Sequence, residues 1–317
     1  MESFKGKRVT VTGGAGFIGS HLTERLLGLG AGVTVIDNFM FGSKIEHLRE
    51  IKSLTVIEGD IRDTKAVSEA INGSDIVIHL AACVGVEETQ QMPLEVLDVE
   101  IRGTVNVLGS AAESGVKRFI FGSSSEVYGN SAEPMQEDDS PSPRSTYAVA
   151  KLAGEEYCRA FHHKHGLEYT CLRYFNVYGS RQDERFVIPR LVGQALSGET
   201  LTIYGDGEQT RDFTYIDDVV NMTLLAITKP EARCRTINIG TGATTTINGV
   251  AGMVTSALDG ASQSRIMHID YDDKRPRRIE VFSRTADTAT ARQLLQYKPG
   301  VSAEAGIKKY IDWRMGR

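Results

Sequence analysis

Short β-branched runs, separated by segments of helical period, fill the first half of the chain. "RVTVTGG" (8–14), "GVTVID" (32–37), "LTVIEGD" (54–60), "DIVIHLAA" (75–82) and "KRFIFGSSS" (117–125) are continuously apolar rather than alternating. Runs of that kind mark strands covered on both faces. Between the first two, "FIGSHLTERLLGLG" places apolar residues at 17, 18, 22, 26, 27 and 29, the stripe of an amphipathic helix. Strand–helix alternation predicts an α/β fold, a doubly wound parallel sheet with right-handed crossovers. After about residue 180 the pattern loosens: "IPRLVGQALSG" reads as helix, and "LTIYGDGEQTRDFTYID" mixes short strands with turn residues. The expected organisation is a first unit over 1–180 and a smaller C-terminal α/β portion over 181–317, partly interleaved with it. A cleft then lies at the carboxyl ends of the strands, where ligands bind in such sheets.

Composition narrows the class. A formal net charge of −5 and a pI near 5.9 argue against nucleic acid or an anionic membrane as partner. No apolar run reaches the length of about 18 residues that spans a bilayer, and "MESFKGKRVTV" leads straight into a strand without a signal-peptide pattern. Cys83, Cys158, Cys171 and Cys234 are widely spaced with no CxxC pair, which points to reduced thiols, a cytoplasmic location and no zinc site. "FHHKH" (161–165) lacks acidic or cysteine companions and reads as a solvated helix end.

"TGGAGFIGS" brings chemistry into the picture. Gly13, Gly16 and Gly19 follow a strand and open a helix, the setting in which glycines permit a tight turn, close approach of a pyrophosphate and helix–sheet packing. Phe17 and Ile18 start that helix. Asp37 ends the second strand, followed by Asn38; a carboxylate there accepts both adenosine ribose hydroxyls and repels a 2′-phosphate, so NAD is expected over NADP. Asp60 and Ile61 after the third strand suit the adenine edge, and Leu80, Ala81 and Ala82 after the fourth leave room for ribose and phosphate. Suitable residues at four successive strand ends make this a Rossmann-type dinucleotide site rather than a set of turn glycines.

"TYAVAK" sets Tyr147 and Lys151 four residues apart at the start of a helical segment (147–165), hence on one face. An ammonium, together with a cationic nicotinamide, lowers a phenol pKa, so Tyr147 is expected to accept a hydroxyl proton near neutrality. Ser124, just past a strand, reaches the same oxygen. With these blocks, and with "DNF", "GDIRD", "RYFNVYG", "GDGEQTRDFTYIDDV" and "INIGTG" in order along nearly the whole chain, the sequence resembles the extended short-chain dehydrogenase/reductases. Within them it is similar to the NAD-dependent epimerase/dehydratase family acting on nucleotide sugars.

That resemblance implies a catalytic set of Ser124, Tyr147 and Lys151 and an NAD that is regenerated in each turnover, with Ser123 among the residues around it. It also implies Tyr174 and Val177 against the nicotinamide, Asn176 at the sugar-linked phosphate, Arg211 and Arg275 on the pyrophosphate, and Val187 and Tyr204 around the base of a UDP-sugar. The sequence departs from the pattern in two places. "RPRR" (275–278) replaces the usual "RPGD", and Glu100 in "DVEIRGT" stands where asparagine is usual.

"GSSSEVYG" (122–129) decides between reactions. Family chemistry oxidises the sugar at C4, which acidifies the C5 hydrogen; a dehydratase removes that hydrogen with a carboxylate and expels the C6 hydroxyl. The related 4,6-dehydratases resemble "TDEVYG", so Glu126 keeps the base position while Ser125 replaces the acid. Ser124 and Cys83 are the substitutes for that acid. The expectation is a lyase, a UDP-N-acetylglucosamine 5,6-dehydratase similar to those of tunicamycin-type antibiotic pathways, giving a 5,6-unsaturated sugar. A UDP-sugar 4-epimerase and a decarboxylase of uronic-acid nucleotides, which often carries the same Ser-Glu pair, are the alternatives. Amphipathic segments around 91–114 and 147–165 suit pairing across a two-fold axis, and a homodimer is expected.

Overall fold

A computed structural model describes residues 4–131, 133–258, 265–272, 277 and 280–317, with the backbone alone at 86–88. The first half alternates as its hydrophobic pattern requires: β1 (Arg8–Thr12), α1 (Phe17–Gly28), β2 (Gly32–Asp37), β3 (Leu54–Glu58), α2 (Thr64–Ile71) and β4 (Ile76–His79). Then come α3 (Val86–Gln91), α4 (Pro93–Leu97), a π-helical turn (Asp98–Gly103), α5 (Thr104–Glu113), β5 (Arg118–Ser124), α6 (Thr146–His165) and β6 (Tyr169–Tyr174). The segment at 91–114 is thus helical without a break from Pro93 to Glu113, opened by the proline and widened by the π turn before Thr104.

Past residue 174 the elements shorten: β7 (Val177–Tyr178), α7 (Val187–Leu196), β8 (Leu201–Tyr204), β9 (Thr210–Arg211), β10 (Thr214–Tyr215), α8 (Ile216–Thr228) and β11 (Arg235–Ile239). β12 (Thr245–Thr246), α9 (Ile247–Ala257), β13 (Ile266–Ile269), α10 (Ala289–Leu295) and α11 (Ala303–Arg314) complete the chain. The main sheet has seven strands in the order β11-β6-β5-β4-β1-β2-β3, and every pairing is parallel. Its edge strand β11 comes from the C-terminal portion, so the two portions of the chain share one sheet.

Alternate residues of each strand serve opposite layers. In β1, Val9 and Val11 join the core cluster that includes Leu22 and Leu26 of α1. Thr10 faces the other layer, where its hydroxyl donates to the Ala70 carbonyl at 2.8 Å. Val67, Ala70 and Ile71 of α2 and Val107, Leu108 and Ala111 of α5 fill that second layer against Val77 and Phe119. Helices on both faces leave only the strand ends accessible, and reversal of strand order between β1 and β4 opens a crevice at their carboxyl ends. Among the described residues no helix is long and apolar enough to cross a membrane.

Candidate active site

A cavity of about 490 Å³ occupies that crevice. Lining it are Gly13, Gly16, Phe17 and Ile18 from the first strand–helix turn, Asp37 and Asn38 after β2, Asp60 and Ile61 after β3, and Leu80, Ala81 and Ala82 after β4. Ser123, Ser124 and Glu126 enter from β5 and the turn beyond it, Tyr147 and Lys151 from α6, and Tyr174, Asn176 and Val177 from around β6 and β7. Val187, Tyr204 and Arg211 reach it from the C-terminal portion. Arg275 lies outside the described residues.

The dinucleotide end has the features the group needs. Gly13 sits at φ +70°, and a Cβ there would meet the Ala81 backbone nitrogen at 2.6 Å, so strand ends β1 and β4 touch with no space for a side chain. Gly19 is tighter still, its added Cβ falling onto the Gly13 carbonyl. The first turn of α1 carries no acidic residue and no side-chain cap, which leaves its N–H groups and positive dipole end to an anion. The Asp37 carboxylate accepts from Ala15 N at 3.0 Å and Phe39 N at 2.9 Å, fixing it at the cavity wall with lone pairs remaining for two ribose hydroxyls. Burial pushes its pKa up against those two backbone bonds.

Two expected contacts are engaged elsewhere. Arg62 grips the Asp60 carboxylate with Nε at 2.9 Å and Nη2 at 2.7 Å, so Asp60 meets a ligand only as half of an ion pair. Ser123 donates to Glu155 Oε1 at 2.6 Å and turns its hydroxyl away from the cavity, toward the buried Glu155–Arg173 pair.

At the redox end, Ser145 serves twice. Its Oγ accepts from Ala148 N at 3.1 Å, capping α6, and its hydroxyl donates to Glu126 Oε2 at 3.2 Å. Ser124 likewise caps the short turn after β5, accepting from Glu126 N at 3.1 Å, and its hydroxyl meets the Tyr147 phenol. Tyr147 lines the cavity half-buried; burial, then the carboxylates of Glu100 and Glu126, push its pKa well above the ordinary tyrosine value. The lowering expected of Lys151 is for the site with a cationic nicotinamide in place; without it, burial dominates, and the ammonium already has a partner in Glu100, the residue that departs from the usual asparagine. Lys151 Nζ lies 2.9 Å from Glu100 Oε2, with both side chains at most 3 % exposed.

Arg284 was not among the expected residues either. It lines the same cavity with its side chain 8 % exposed, Nη1 lies 3.8 Å from Glu126 Oε1, and buried Nε has no hydrogen-bond partner among the described residues. In "SRTAD" no spacing or periodicity singles it out. Farther along, Arg211 donates to the Thr210 carbonyl and the Glu280 carboxylate, which leaves it oriented at the cavity wall. Arg190 sits 5.5 Å above the Tyr204 ring, itself stacked with Tyr271 at 6.3 Å. Cations beside an aromatic pair suit a diphosphate joined to a planar base.

A profile of the NAD dependent epimerase/dehydratase family matches residues 9–240. The chain belongs to that family. Its cofactor is NAD, which the glycine turn, the uncapped α1 terminus and Asp37 fit. A UDP-N-acetyl-alpha-D-glucosaminuronate decarboxylase of Bacillus cytotoxicus is 38 % identical over 317 residues, 97 % of each chain. Two solved structures, each 34 % identical and covering 98 % of this chain and 99 % of the other, share the fold. One is a UDP-glucuronic acid 4-epimerase of Bacillus cereus in complex with UDP-glucuronic acid and NAD, with a TM-score of 0.90. The other is a UDP-glucose 4-epimerase of Thermotoga maritima with UDP-glucose, with a TM-score of 0.89. As a family member the chain is an NAD-dependent enzyme built on this Rossmann frame.

Proposed function

We propose that this enzyme acts on UDP-sugars, and that its substrate is a UDP-hexuronate which it decarboxylates after transient oxidation at C4. The observation that carries this reading is the Arg284 guanidinium, buried at the cavity wall beside Glu126, with no hydrogen-bond partner for Nε among the described residues. Glu126 at 3.8 Å only partly offsets the desolvation of that cation; a neutral hexose adds no charge to it, whereas a C6 carboxylate would pair with it bidentately. The relatives named above include a decarboxylase of one such uronate and an epimerase bound to another, which supports the same class.

The Gly13–Gly19 turn, the α1 N-terminus and Asp37 would hold NAD, which would supply a reversible hydride acceptor for C4. Tyr147 takes the C4 hydroxyl proton, with Ser124 holding the oxygen. The C4 ketone stands β to the C6 carboxylate, so the C5–C6 bond can break with its electron pair flowing into a C4–C5 enolate as carbon dioxide leaves. Glu126, oriented by Ser145, takes a proton from solvent and delivers it to C5 of the enolate, and Tyr147 returns its proton to the C4 oxygen. No acid for a departing hydroxyl is required, which accords with serine at position 125. Dehydration is the second reading, favoured by Glu126 in its role as a C5 base; loss of the C6 hydroxyl then needs a proton from Ser124 or Cys83.

The test is a panel of UDP-glucuronate, UDP-N-acetylglucosaminuronate, UDP-glucose and UDP-N-acetylglucosamine incubated in deuterated water. Loss of carbon dioxide from a uronate with one deuterium at C5 is the expected product. Loss of water from a hexose overturns the proposal in favour of dehydration, and unchanged mass with inverted C4 overturns it in favour of epimerisation.

A further inference from the structure

The buried carboxylate behind the catalytic lysine is the group that the mechanism above does not use. Glu100 belongs to the π-helical turn Asp98–Gly103, whose extra backbone width swings residues out of the register of the flanking helices; turns of this kind recur at functional sites. Its residue is 2 % exposed. One carboxylate oxygen accepts from Cys83 N at 3.0 Å, the other lies 2.9 Å from Lys151 Nζ, and the rings of Phe121 and Tyr147 lie 5.2 and 5.5 Å from the same ammonium. Two opposite charges are therefore locked together at the back of the Tyr147 ring, in surroundings that screen poorly.

We propose that Glu100 is a positioning residue for Lys151. Its carboxylate fixes the ammonium in place and cancels its charge, so that Tyr147 holds its proton until a cationic nicotinamide stands beside it. A solitary ammonium would favour the phenolate at all times. The ion pair removes that bias, and Tyr147 becomes a base only with the oxidised cofactor present and an acid once the cofactor's charge is gone. The direction of proton transfer then follows the redox state of the site, as a cycle that oxidises and re-reduces C4 requires. The inference rests on Tyr147 as the C4 proton acceptor and is independent of which sugar is bound or what leaves it.

Every charged or titratable group facing the phenol enters the balance. Glu126 lies on its β5 side and raises its pKa, as does Glu100, whereas the Ser124 hydroxyl and Arg284 lower it. His79 faces Lys151 from β4 and is held between Thr12 and Thr104; burial, then Lys151, lower its pKa to about 3, so it remains neutral. Cys83, whose own backbone N–H donates to Glu100, is among the residues lining the cavity.

The experiment follows the Tyr147 phenol directly in cofactor-free protein, by carbon-13 NMR of Cζ-labelled tyrosine, with the signal assigned by its loss in Tyr147→Phe. No substrate is needed, so its outcome is separate from that of the product assay. Glu100→Gln and Glu100→Asn both remove the charge, and each is expected to lower the phenol midpoint by about one pH unit or more. Glu100→Asp keeps the charge and is expected to stay near the wild type. Coincident midpoints in wild type and folded neutral variants overturn the proposal and leave Glu100 a packing residue. Should neither neutral variant fold, the paired replacement Glu100→Gln with Lys151→Met, which strands no charge, decides: a phenol midpoint near that of the wild type supports the cancelled charge, and one raised by about a pH unit or more, as loss of an uncancelled ammonium would give, overturns the proposal.

Discussion

Arg173 donates from Nε and Nη2 to the two carboxylate oxygens of Glu155, at 2.9 and 2.8 Å. With side chains 2 % and 0 % exposed, the pair joins β6 to the middle of α6, and Ser123 of β5 donates into it. The helix that presents Tyr147 and Lys151 is thereby clamped to the two strands whose ends present Ser124 and Tyr174. Removing one partner of a buried pair strands the other charge without water.

Glu155→Gln is accordingly expected to destabilise the protein by about 3–5 kcal/mol, measured by urea unfolding. The double replacement Glu155→Gln with Arg173→Met should cost less than the sum of the two single changes, because no stranded charge is left. Additive costs would contradict the clamp.

Asp37 sets the choice of dinucleotide. Replacing it with asparagine keeps the shape but removes the charge that holds the ribose hydroxyls, and NAD affinity is expected to fall by about 10-fold or more. Asp37→Ser should in addition admit NADP, which the carboxylate repels. Calorimetric titration of both cofactors measures the two effects, and unchanged selectivity would show that another residue reads the ribose.

Glu126 and Arg284 should separate by the step each serves. Glu126→Gln is expected to lose roughly 10²-fold or more in C5 proton exchange while C4 oxidation, seen as reduction of bound NAD in single turnover, persists. Arg284→Met should leave neutral UDP-hexose binding in place and weaken uronate binding by roughly 10²-fold, the loss typical of a buried charge pair. Equal weakening of both ligands would remove the case for a C6 carboxylate.

His79 gives stability a pH dependence. It is buried between two threonine hydroxyls, and its folded pKa of about 3 lies below the unfolded value of 6.5. Between those values the unfolded chain binds the proton and the folded chain does not, so stability is whole above pH 6.5 and declines as pH falls toward 3. The slope contributed is at most about 1.4 kcal/mol per pH unit. Unfolding free energies from pH 7 to 4 in wild type and His79→Gln measure it, and the variant should show the shallower acid limb.

Much of the frame was legible beforehand because it depends on neighbours in the chain. Continuous apolar runs at 32–37 and 117–125 became β2 and β5, and the segment at 147–165 became α6, since burial on both faces and a 3.6-residue stripe are properties of short stretches. The amphipathic segment at 91–114 is helical from Pro93 to Glu113, with one feature that local pattern does not show. Through Asp98–Gly103 the backbone widens into a π turn that the residue pattern does not announce. At Gly103 the chain passes so close to Ile61 that an added Cβ would meet its Cδ1.

By itself, then, the sequence determined the order of strands and helices, the glycine turn at Gly13–Gly19, and the presence of Ser124, Glu126, Tyr147 and Lys151 at one end of the sheet. Each follows from spacing within a few residues. Tertiary structure alone decided which charges those groups meet. Glu100 reaches Lys151 from a turn after β4, and Arg284 reaches Glu126 from the far end of the chain. Electrostatic partners are set by distance through space in a poorly screening interior, and no local pattern of residues encodes that distance.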